Sequence, residues 1–196
     1  NLLDATNAYS LLIEDEKALS GIPADVLQTA KESAEADFKT GWKFTLHMPS
    51  YLPVLQYADN RELRERMYRA YATRASEFDS QTGAERDNMP LINRILELRQ
   101  EAAQMLGYEN YAEVSLATKM ATSPQQVLDF LGKLAAKAKP YAEQDLQALK
   151  QFAAERLDLP ILEAWDLTYV SEKLREERYA FSDQEVKQYF PEDKVL

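Results

Sequence analysis

The 196-residue sequence has no cysteine and a single histidine, His47. The first absence excludes disulfides and thiolate chemistry, and it fits a reducing compartment. The second leaves no HExxH, CxxC or HxH spacing, so a zinc site of the usual several His or Cys ligands cannot be assembled. No GxSxG or Ser–His–Asp set can be built around His47 either; a lone histidine beside a strand is ordinarily structural or exposed. Five glycines supply no phosphate loop, and with eight prolines they allow few tight turns. No signal-peptide pattern and no long apolar run is present, so the chain reads as soluble.

What remains is helix-forming. Ala, Leu, Glu, Gln, Lys and Arg dominate, and 45% of residues are hydrophobic, enough to fill a core. The expected fold is all-α, a non-repeating multi-helix domain with at most a short β element near residues 42–47. Net charge is −10, which argues against nucleic acid, whose phosphates demand a basic surface. Residues 1–37 hold eight acids and two lysines. That surplus is either a solvated helix face or an acidic wall that attracts cationic ligands.

Local signals divide the chain. A first helix is expected over 4–19, with Gly21 as its stop, and a second from Pro23 through 24–37. "WKFTLH" (42–47) mixes aromatic and β-branched residues with polar ones and is the strand candidate. Pro53 is expected to open a short helix. Asp59 and Glu62 have capping-box spacing ahead of a long helix over 61–78. Residues 79–88 read as a polar loop. A helix over 89–106 stops at Gly107, and a shorter one follows within "ENYAEVSLATKM". Ser123-Pro124-Gln125-Gln126 starts a helix that reaches Leu157, with Pro140 expected to kink or break it. Asp166 is placed to cap the next helix, and Ser182 with Glu185 forms another box.

Chemistry is harder to find. Glu172 and Glu176 share a helix face, but with Lys173, Arg175 and Arg178 beside them a salt-bridged surface is the ordinary reading. Ten tyrosines from Tyr51 to Tyr189 read as core-edge residues, a few of them able to line a peptide groove. Trp165 reads either as a buried anchor fixing the last helices or as an exposed ring at an interface with another part of a longer chain.

One stretch is distinctive. "AWDLTYVSEKLREERYAFSDQEVKQYFP" (164–191) resembles the thimet oligopeptidase and oligopeptidase A family of zinc metallopeptidases. "KFTLHMPSYLPVLQYADNRELRERMYRAY" and "LINRILELRQEAAQMLGYENYAEVSLATKMATSP" resemble the family's neighbouring segments, and "NLLDATNAYSLLI" its bacterial branch. Val170 departs from the pattern, which often carries a second Tyr there. The resemblance implies a cytoplasmic enzyme that hydrolyses short peptides in a channel between two helical halves, with zinc held by an HExxH helix and a downstream Glu. None of those residues can be matched here, so no catalytic, metal-binding or substrate-binding position is assigned. Together with the first residue, Asn1, this implies an internal fragment. Residues 1–175 would be a channel-wall domain, and 176–196 the start of the crossing toward the missing catalytic half. The fragment would be inert alone, its partners being the missing parts of the parent chain, with no nucleic acid and no membrane. The alternative is a free-standing helical binding module without enzymatic activity.

Overall fold

A computed structural model describes residues 1–79, 83–180, 185–186 and 189–190. It is mainly helical: α1 (Leu2–Ala8), α2 (Ala24–Ala36), α3 (Met48–Tyr57), α4 (Arg61–Ala72), α5 (Met89–Met105), α6 (Tyr111–Leu116), α7 (Pro124–Arg156) and α8 (Leu167–Tyr179). Two three-residue strands, β1 (Leu11–Ile13) and β2 (Trp42–Phe44), pair antiparallel with Leu11 opposite Phe44. The all-α expectation with a short β element holds. The chain falls into two compact units, residues 1–86 with 149–196, and residues 87–148.

The first unit holds the main core. Phe44, Leu46, Val54 and Met67 are completely or almost completely enclosed, with Leu11, Leu19, Leu55 and Leu63 around them. Tyr51 of α3 stacks on Tyr71 of α4, ring centroids 4.3 Å apart. A smaller cluster joins the end of α7 to α8 through Phe152, Ala153, Tyr169 and Val170.

Several local expectations shift. The helix expected over 4–19 is α1, then β1, then a 3-10 turn at Glu16–Leu19 started by Asp15, whose carboxylate accepts from the Lys17 N–H. Residues 11–13 gain a ladder with β2, and that long-range pairing outweighs helix propensity. Helix α3 begins at Met48 with Pro49 in its first turn and carries Pro53 inside. Asn60, not Asp59, caps α4 by accepting from the Leu63 N–H at 3.1 Å. Helix α4 ends at Ala72 rather than Phe78: the Thr73 hydroxyl donates to the Arg69 carbonyl, and Ala75 turns left-handed at φ 51°. Helix α7 runs on through Pro140. Proline there removes one backbone donor and crowds the carbonyl of Ala136, and the alanines around it are strong helix formers. Ser123 caps α7 as expected, its Oγ accepting from the Gln126 N–H at 3.2 Å. Ser182 of the expected Ser182–Glu185 box and part of the 79–88 loop lie outside the described residues.

Helix α2 ends in a strained way. Phe38 sits at φ 59° and is 99% exposed, while the Lys39 N–H donates to the Ala34 carbonyl at 2.9 Å. This left-handed stop suits glycine. Phe38→Gly is expected to raise stability by about 1 kcal/mol, since the relieved strain exceeds the added chain entropy. Denaturant midpoints check this; a lower midpoint would show that Phe38 is held by contacts instead.

Candidate functional site

The first unit contains a buried ionic node. Arg61 and Arg64 lie one turn apart on α4, so both guanidinium groups point the same way. Asp166 ends a 3-10 turn, Ala164–Asp166, that leads into α8. Its carboxylate is fully buried and Arg64 is 1% exposed. Arg64 donates to Asp166 Oδ1 at 2.8 Å, and Arg61 Nη2 to Oδ2 at 2.6 Å. The Glu163 N–H adds a bond to Oδ2 at 3.1 Å. Arg64 also donates to the Ala58 carbonyl at 2.7 Å, and Arg61 to the Ile161 carbonyl at 3.0 Å. Burial alone would push the Asp166 carboxyl up, but the bonds from Arg61, Arg64 and the Glu163 N–H hold it below the usual carboxylate range.

Tyr169 extends the node. Its ring lies under the Arg64 guanidinium, 4.1 Å from carbon to centroid. Its hydroxyl donates to Asp59 Oδ1 at 2.9 Å. Burial, then the bond to Asp59, pushes that hydroxyl up to about 12. Asp59 in turn accepts from the Ser20 hydroxyl at 2.7 Å. Three segments far apart in sequence thus meet: Ser20, residues 58–64 and residues 161–169.

This chemistry positions; it does not exchange protons near neutrality. Asp166 stays ionised, Tyr169 stays protonated, and arginine stays charged. Asp166 does not cap α8 as expected. Its carboxylate is committed to the two arginines and to the Glu163 N–H, and no side-chain bond starts α8.

The other candidates fall elsewhere. His47 is exposed at the start of α3 and lines a cavity of about 530 Å³ with Asp25, Thr29, Lys43 and Ser50. Glu172 and Glu176 do not form one exposed surface. Glu172 is 4% exposed and accepts from Gln56 and Arg175, while Glu176 pairs with Lys173 at 3.4 Å. Among the described residues the Oε1 atom of Glu172 has no hydrogen-bond partner. Trp165 is half-buried against the main core rather than enclosed, with Arg69 over its face at 4.8 Å. Tyr51, Tyr57 and Tyr169 are buried, whereas Tyr108, Tyr111, Tyr141, Tyr179 and Tyr189 are exposed. Glu14, Asp15 and Glu16 are exposed as well.

Among the described residues no group of three His, Cys, Asp or Glu is placed to hold a metal. These residues therefore do not fit the zinc of the resembled family. Among them, too, no helix is long and apolar enough to cross a membrane.

Residues 54–196 match the model of Peptidase family M3, and the chain belongs to that family. Over its whole length it is 50% identical to oligopeptidase A of Haemophilus influenzae, 49% to oligopeptidase A of Escherichia coli, and 44% to the probable cytosolic oligopeptidase A of Arabidopsis thaliana. It spans only 29%, 29% and 28% of those proteins.

Proposed function

We propose that this chain is a section of a cytoplasmic zinc-dependent oligopeptidase that hydrolyses short peptides in a channel between two helical halves. Residues 1–175 are then its channel-wall domain, and 176–196 begin the crossing toward the catalytic half. The observation that carries the reading is 50% identity along the whole chain to a protein named oligopeptidase A. A relative named as cytosolic supports the location. On this reading the zinc lies outside the chain. The single histidine and the lack of a metal-fitting cluster among the described residues support that.

The 196 residues alone should then be inert, their part being to hold the wall in shape. The test uses the purified chain, added zinc and a quenched short peptide, beside a chimera in which residues 1–196 replace the matching 29% of the Haemophilus influenzae protein. The chimera is expected to cleave and the free chain is not. Chelator-sensitive cleavage by the free chain would sink the claim of inertness. A folded chimera without cleavage would favour the binding-module reading.

A further inference from the structure

Residues 87–148 present apolar side chains where a folded unit should hide them. In α5, Leu91, Ile95, Leu98 and Met105 follow 4-3-7 spacing along one face, and they are 54%, 47%, 46% and 87% exposed. In α7, Val127, Leu131, Leu134, Ala138 and Tyr141 follow 4-3-4-3 spacing. Leu131, Leu134 and Tyr141 are 53%, 49% and 70% exposed. Such spacing is the seam of a helix that packs against other helices. Leu128 and Phe130 widen the α7 stripe and are each 61% exposed. Across the whole of 87–148 only Ala103 is buried. A monomer rarely leaves so continuous an apolar surface in water.

Two further observations say what covers it. The chain accounts for 29% of the length of relatives 50% identical to it, so most of their polypeptide has no counterpart here. The charge beside the α7 stripe also has a sign: residues 124–141 carry Lys133, Lys137 and Lys139 against Asp129 alone.

We infer that the α5 and α7 seams are docking faces for amphipathic helices, those on α7 with acidic flanks, contributed by the part of the full-length polypeptide outside this stretch. The inference rests on the reading of the chain as a section of a longer peptidase. The covering helices supply Leu-like knobs to both seams, and their acids meet the α7 lysines.

Hydrogen exchange by mass spectrometry tests it on the free chain and on the chimera. Amides of 91–105 and 127–141 should exchange at least about 100-fold more slowly in the chimera, with 51–67 unchanged. Leu131→Asp with Leu134→Asp should abolish that slowing in the chimera while leaving the helix content of the free chain intact. Equal exchange in a monomeric free chain and in the chimera overturns the proposal. So does a free chain that dimerises in sedimentation and gains the same protection, because the occupant is then a second copy. A chimera with protected seams that fails to cleave peptide sinks the proposed activity and not the docking. If the chimera does not fold, the same measurement on the aligned segments of intact Haemophilus influenzae oligopeptidase A decides: slow exchange supports docking and fast exchange overturns it.

Discussion

Asp166→Ala should destabilise the first unit by about 3–5 kcal/mol, because it leaves Arg61 and Arg64 facing a buried site without a counter-charge. Arg64 is 1% exposed and donates to Asp166 at 2.8 Å, so water cannot readily replace the lost carboxylate. Most of the loss should come from this stranding and little from Arg61, which is 40% exposed and can turn outward. A second variant separates the two causes. Arg64→Met combined with Asp166→Leu removes both buried charges and should recover most of the loss, since apolar replacements of buried pairs are often neutral. Acid should close the gap between wild type and Asp166→Ala. The folded-state pKa of Asp166 is lowered, so its contribution is fully present above the unfolded value of about 3.9. It is lost as pH falls through the lower folded value. Urea midpoints at pH 7 should therefore show the full difference, and midpoints taken well below pH 4 should converge. A difference that persists there would mean that Asp166 stabilises by packing rather than by charge.

The division between what is and is not legible in the sequence follows the range of the interactions. Helices α2 and α7 carry their own start signals, Pro23 and Ser123-Pro124, and α5 its stop at Gly107; these local devices act within a turn. Strand β2 is legible from Trp42 and Phe44. Its partner β1 is not, because Leu11–Ile13 reads as part of a helix until residues 42–44 lie beside it. The ionic node has the same character. Arg64 and Asp166 are 102 residues apart, and each sits among other charges that read as solvated surface. Glu172 misleads for that reason: neighbouring Lys173 and Arg175 suggest an exposed face, yet Gln56 of α3 covers it. The Ala164-Trp165-Asp166 triplet is recognisable by resemblance, but its physical role emerges only where two arginines converge on Asp166. The apolar spacing of α5 and α7 is also plain in sequence. The spacing says that a face packs, and not which chain supplies the other side.

Gly21→Ala should be the second large loss, about 3–4 kcal/mol, although Gly21 is exposed and makes no side-chain contact. It adopts φ +86°, where an alanine is strained by about 1–2 kcal/mol. A Cβ there would also stand 2.2 Å from the Tyr57 carbonyl oxygen and 3.0 Å from the Asp59 carboxyl. The carbonyl is backbone at the end of α3, so relief requires moving the chain, an overpacking cost of about 1–3 kcal/mol. That movement reaches the node. The Asp59 N–H donates to the Ser20 carbonyl at 2.9 Å, and the Asp59 carboxylate receives both Ser20 and Tyr169. Pushing 20–21 away from 57–59 removes the support that aims Asp59 at Tyr169. Gly107→Ala is the control: Gly107 adopts φ +79°, but its added Cβ meets nothing within 4 Å. It should lose only the backbone component, about 1–2 kcal/mol. The difference between the two variants measures the close approach. If Gly21→Ala and Gly107→Ala prove equally costly, the segment at 20–21 yields freely and does not brace Asp59.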